Sequence, residues 1–147
     1  MTVKHKRINM MSAITNQGHV RFMVYEEAMN QRILIDFFKR LIAESSRKIY
    51  MILDNLRVHH GKIAAAWLED HKDEIEVFFL PPYAPEFNSD EYLNHALKLS
   101  VHSGDLPHTK KDIKHKIHSF MRHMQHRKEK VKAFFKHKKL IYCLVQE

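Results

Sequence analysis

Lys48-Ile49-Tyr50-Met51-Ile52-Leu53-Asp54 is the stretch that decides the fold class. It is almost continuously apolar and too short for an ordinary helix, which is the pattern of a strand buried on both faces of a sheet. A carboxylate that closes such a strand falls at the carboxyl edge, where open α/β sheets bind their ligands. Downstream, Leu80-Pro81-Pro82-Tyr83-Ala84-Pro85-Glu86-Phe87-Asn88-Ser89-Asp90-Glu91 leaves 36 residues between Asp54 and Glu91. Its three prolines hold the backbone extended until Asn88 or Ser89 can cap a helix, with Glu91 in that helix's first turn. Asp54 and Glu91 together suggest half of a metal site.

Arg7 to Thr15 reads as a strand, Asn16-Gln17-Gly18 as a turn in which Gly18 takes positive φ, and His19 to Glu27 as the returning strand. In that second strand Val20, Phe22 and Val24 alternate with Arg21, Met23 and Tyr25. Asn30 can cap a helix whose apolar stripe is Leu34, Phe37, Phe38, Leu41 and Ile42, with Arg32, Asp36, Lys39 and Arg40 facing away. After the Asp54 strand, a helix from about Gly61 to His71 should pack Ile63, Ala66 and Trp67, and Glu76 to Leu80 should form the last strand. The order is β-β-α-β-α-β-α, an α/β arrangement in which strands flanking the central helices pair in parallel.

Thr109-Lys110-Lys111-Asp112 fits a capping box that opens a long basic helix to about residue 126. Ile113, Ile117, Phe120, Met121 and Met124 repeat at helical spacing on its inner side. A shorter helix, Glu129 to Lys136, turns Val131, Phe134 and Phe135 inward.

With 147 residues the chain has the size of one domain. Its single cysteine, Cys143, excludes an internal disulfide, and no apolar run is long enough to span a bilayer, so a reducing cytoplasm with no membrane contact fits best. The net charge of +8 sits at one end: residues 1–107 carry 13 Lys and Arg against 14 Asp and Glu, and residues 108–147 carry 12 against 3. Such a cationic segment, including Lys110, Lys111, Lys114, Lys116, Arg122, Arg127 and Lys128, points to the phosphates of DNA.

Leu53-Asp54-Asn55-Leu56-Arg57-Val58-His59-His60, the Pro-Pro-Tyr-Ala-Pro-Glu-Phe-Asn segment and Asp90-Glu91-Tyr92-Leu93-Asn94 resemble the second and third acidic motifs of bacterial insertion-sequence transposases of the 630 type, with a mariner-like DDE domain. The resemblance runs through essentially the whole chain. Ser89 stands where the family usually has proline, and Ala96 where an aspartate is common. The resemblance implies an RNase H-like mixed sheet with flanking helices, residues 1–107 being a partial catalytic core and residues 108–147 basic helices of the same domain. It implies two Mg2+ or Mn2+ ions in the intact family, held by three carboxylates, of which Asp54 is the second and Glu91 the third. Asn55 and His59 become supporting residues of that site.

No acidic residue precedes Glu26, so the first carboxylate and its central strand are absent from this sequence. The expectation is an amino-terminally truncated, catalytically incomplete transposase fragment with weak or single-metal binding. It would be nucleoid-associated and would act on transposon ends and target DNA, as a homodimer or with an intact transposase. Three outcomes are open for the sheet: its halves close up directly, a partner chain supplies a strand, or the fold is unstable.

Plainer readings stand beside these. Asp54 and Glu91 could be a strand-end aspartate and a first-turn glutamate stabilised by the helix dipole. Asn55, Arg57, His59 and His60 could belong to an ordinary polar βα loop. The histidine-lined face of His115, His118, His123 and His126 fits a DNA-facing or merely solvated surface better than a soft metal site, because neighbouring lysines and arginines repel cations. A non-catalytic DNA-binding or transposase-interacting remnant is the rival function.

Overall fold

The computed structural model describes residues 8–53, 60–80, 89–103 and 109–135. Its elements are β1 (Asn9–Ile14), β2 (Val20–Tyr25), α1 (Gln31–Ala43), β3 (Ile49–Leu53), α2 (Lys62–Asp70), β4 (Ile75–Phe79), α3 (Ser89–Val101), α4 (Lys110–Gln125) and α5 (Lys128–Phe134). The chain divides into two compact units, one made of Met1–Glu27 with Ser89–Glu147 and the other of Ala28–Asn88. These units follow packing, whereas a boundary after residue 107 follows charge.

In the first unit β1 and β2 form an antiparallel hairpin in register from Asn9↔Tyr25 to Ile14↔Val20. Its turn is closed by Gly18 N–H donating to Thr15 O at 3.0 Å. Gly18 has φ +91, and a Cβ there would meet the backbone oxygen of Lys128 at 2.6 Å, so the turn requires glycine twice over. Val20 joins Leu93 and Leu97 of α3, Ile117, Met121 and Met124 of α4, and Val131 of α5 in one buried cluster. The capping box of α4 is formed, Thr109 Oγ1 accepting from Asp112 N–H at 3.1 Å and Asp112 Oδ2 from Thr109 N–H at 3.2 Å. Met23, expected on the polar side of β2, is buried as well. It is itself apolar, so the alternation along β2 does not leave that side wet throughout.

The second unit is α1-β3-α2-β4. Asn30 Oδ1 accepts from Ile33 N–H at 2.9 Å and starts α1 as expected. Ile33 and Ile35 are buried along with Leu34, Phe37, Phe38 and Leu41, so the covered face is broader than a single stripe. β3 and β4 pair in parallel from Ile49↔Ile75 to Leu53↔Phe79 around the crossover helix α2.

Two expectations are corrected here. β3 is not buried on both faces: Met51 is covered, but Tyr50 is 66% and Ile52 52% exposed, because an apolar run fixes that a strand can be buried without fixing how many faces are covered. In α2 the inward residue is Ala64, fully buried, with Trp67 stacked 6.0 Å from Phe38, whereas Ile63 and Ala66 are exposed. Ala66 lies about 200° round the helix from Ala64, so both cannot face inward. Among the described residues the strands fall into two two-stranded sheets, β1-β2 and β3-β4. No helix among them is long and apolar enough to cross a membrane.

Candidate metal position and nucleic-acid interface

Glu91 stands in the first turn of α3, half-buried, at the helix start that the sequence predicts. Asp54, Asn55 and His59 lie outside the described residues. The ladder leading to Asp54 is described: Leu80 N–H donates to Leu53 O at 2.7 Å, so pairing continues to the last residue before it. Among the described residues no three His, Cys, Asp or Glu side chains gather closely enough to hold a metal. The donor chemistry of Asp54 and Glu91, two carboxylates, nonetheless fits a hard divalent cation.

Helix α3 is held along its length. Leu93 and Leu97 anchor it in the core, and Ser12 Oγ on β1 donates to Asn94 Oδ1 at 3.4 Å, one turn after Glu91. At the far end Lys116 Nζ donates to Val101 O at 3.4 Å and to Ser103 O at 3.2 Å. This ammonium therefore satisfies carbonyls that the end of the helix leaves without partners, and favours the negative end of its dipole.

Helix α4 sorts the expected DNA-binding residues by position. At 100° per residue, Lys111, His115 and Arg122 fall within about 40° of one another on the side opposite Ile117 and Met124. Lys111 and Arg122 are exposed and form no ion pair among the described residues. Lys114 and Lys116 lie on the two flanks, where α4 meets its neighbours. Lys114 Nζ pairs with Glu26 Oε1 at 2.6 Å, at the end of β2. That hydrogen bond, with the charges of Lys114 and Lys110, holds the Glu26 carboxyl below its ordinary value.

Arg127 and Lys128 are exposed at the α4–α5 corner, where residues 125–130 line a concavity of about 560 Å³. His118 is turned inward, its Nδ1 buried with no hydrogen-bond partner among the described residues and its ring edge-on to Phe22 at 5.4 Å. That is a packing role, and it removes His118 from a solvent-facing histidine row.

At the carboxyl end of the β3-β4 sheet, the His60 ring stacks on Phe79 with centroids 4.1 Å apart and 28° between planes. Gln31 Oε1 accepts from Ala64 N–H at 2.9 Å, satisfying a donor in the first turn of α2. Neither contact is visible in a local pattern, since 18 residues separate His60 from Phe79 and 32 separate Gln31 from Ala64.

No curated protein matches the chain. The family model described as DDE superfamily endonuclease matches residues 1–114, which take in both acidic positions and the start of α4. The chain belongs to the DDE superfamily of endonucleases.

Proposed function

We propose that this chain is a DNA-transposition domain of the bacterial insertion-sequence type, built for metal-dependent cleavage and transfer of DNA strands and catalytically incomplete in this sequence. DDE nucleases act on DNA and generally use divalent metals. Asp54 and Glu91 would hold magnesium or manganese, which when bound stabilises charge on the attacking and leaving oxygens of a phosphodiester. Asn55 and His59 would orient those carboxylates, and Lys111, Arg122, Arg127 and Lys128 would bind the DNA backbone. The observation that carries this reading is the family match across residues 1–114. Incompleteness rests on the count of carboxylates: the family uses three, and the resemblance assigns two of them, Asp54 and Glu91, to this sequence.

The test is a nicking assay on labelled terminal-repeat DNA with manganese. No strand transfer and at most trace nicking is the expected result. Efficient nicking that Asp54→Ala and Glu91→Ala both abolish would overturn the incompleteness and leave the site assignment standing. Efficient nicking indifferent to both substitutions would sink the site assignment.

One observation favours a second reading, a non-catalytic DNA-binding or transposase-interacting module: the outward face of α4 presents Lys111 and Arg122 in the open. Under that reading DNA binding is salt-sensitive, untouched by Asp54→Ala and weakened by reversing those two charges.

A further inference from the structure

We propose that Lys98, with His95 beside it, holds phosphates of the DNA strand leading away from Glu91, so that one stripe of α3 is a track for the substrate strand. The proposal rests on the reading of Glu91 as a metal-holding carboxylate and adds residues that position the strand there. All three residues lie on α3. At 100° per residue they fall within about 60° of one another around the helix. Leu93 and Leu97 are buried on its other side, which fixes that roll. His95 and Lys98 therefore follow Glu91 along one face, about 6 Å and about 10 Å down the axis.

This stripe is not used by the fold. His95 and Lys98 are exposed, and neither side chain has a hydrogen bond or ion pair among the described residues. Leu99, next to Lys98, is 62% exposed, so this side of the helix faces solvent. The plainer role for Lys98 is that of a cation in the last turn of α3, favouring the helix dipole. That role is already filled by Lys116, whose ammonium reaches the carbonyls of Val101 and Ser103. What remains is an imidazole and an ammonium in solvent, about one and two turns beyond a carboxylate.

The order of charges along the stripe suits a phosphodiester backbone. With Glu91 committed to a divalent ion and the phosphate it binds, the phosphates that follow need partners of positive charge. Lys98 supplies a compact charge with three donors, and His95 an N–H donor in either protonation state. The same lysine tells against His95 as a further metal ligand, because a fixed cation one turn away repels a metal ion. Contacts of this kind grip the backbone whatever the bases, so they position the strand and specify no sequence.

The experiment measures fluorescence anisotropy of the full chain with a labelled duplex of about 20 base pairs in EDTA, over a series of salt concentrations. Lys98→Gln should flatten the slope of log affinity against log salt by about 1, and lower affinity about tenfold at about 0.1 M salt. Lys98→Arg should restore both. His95→Leu, which deletes a donor, should weaken binding about threefold. Urea midpoints of these variants should stay close to wild type, which separates a lost contact from a lost fold. Glu91→Gln places the contact. Removing a carboxylate beside the bound backbone should raise affinity about threefold in EDTA, and the gain should vanish in Lys98→Gln, where the strand is no longer held against it.

A wild-type slope in Lys98→Gln, wild-type affinity in His95→Leu, or a gain from Glu91→Gln that is the same with and without Lys98 would overturn the track. Metal binding is measured apart, by titrating manganese into the DNA-free chain. Manganese affinity that Asp54→Ala and Glu91→Ala remove, joined to a wild-type slope in Lys98→Gln, would sink the track and leave the metal reading standing. The coupled DNA effects in a chain with no manganese affinity would sink the metal reading alone.

Discussion

Lys116 Nζ lies 3.2 Å from the carbonyl oxygen of Ser103 and 3.4 Å from that of Val101, so a lysine expected to face DNA is engaged at the end of the helix bearing Glu91. The reason is angular. Lys111 and Lys116 are both lysines of one basic helix, but they stand about 140° apart around it. Lys116 meets the end of α3, and Lys111 meets solvent. The same basic helix therefore divides into an outward face and two flanks that meet neighbouring elements.

Removing the ammonium of Lys116 while keeping its stem should cost stability. Lys116→Met gives up two charge-assisted hydrogen bonds and the helix-end interaction, about 1 kcal/mol after solvent competition. Urea denaturation should show a lower midpoint with an unchanged slope, and DNA affinity should stay close to wild type. An unchanged midpoint joined to a loss of DNA affinity would return Lys116 to the binding face.

The outward face makes the opposite prediction. Each phosphate contact contributes about 0.9 to the slope of log affinity against log salt. The double variant Lys111→Glu, Arg122→Glu should flatten that slope by about 2 if each residue makes one contact. Its unfolding midpoint should move little, since neither side chain has an ion-pair partner to lose among the described residues. A slope identical to wild type would remove α4 from the interface.

Glu26 and Lys114 join the end of β2 to α4, and the pair has a pH signature. The Glu26 carboxyl is held down, first by the hydrogen bond from Lys114, then by the charges of Lys114 and Lys110. A depressed carboxyl stabilises the fold at every pH above its ordinary value of 4.5, and that contribution disappears as pH falls through the lowered native value. Glu26→Gln should thus melt below wild type at neutral pH, by a small margin because the pair is solvent-exposed. The two melting curves should converge on acidification, and a gap that is constant with pH would exclude the ion pair as its cause.

Local rules made much of this fold legible. Asn30 at the start of α1, the Thr109–Asp112 box and the positive φ of Gly18 are decided by residues within a few positions of one another, and all three are present. The seven-element order from β1 to α3 follows from the same short-range periodicity. What the sequence did not carry was which face is covered. Tyr50 and Ile52 are as apolar as Met51 yet stand exposed, and Ile63 yields its inward place to Ala64, because rotation of an element is set by partners far along the chain. At the candidate site Glu91 was legible from proline spacing and a helix start, but the His60–Phe79 stack and the tether of Lys116 depend on tertiary approach.

Gly61 shows how such a long-range partner can be tested. It precedes α2 with φ −63 and ψ 148, a conformation alanine adopts without strain. A Cβ at this position would nevertheless fall on the side-chain amide of Gln31, whose Oε1 accepts from Ala64 N–H. Gly61→Ala should therefore displace Gln31 and leave an amide of the first turn without its acceptor, a loss of about 1 kcal/mol. In a Gln31→Ala background that obstacle is gone, and the same substitution should stabilise by up to about 1 kcal/mol by narrowing the unfolded ensemble. The sign reversal gives a coupling of about 1–2 kcal/mol in a double-mutant cycle read from denaturant midpoints. Additive effects would mean that Gln31 does not hold the start of the helix that follows His60.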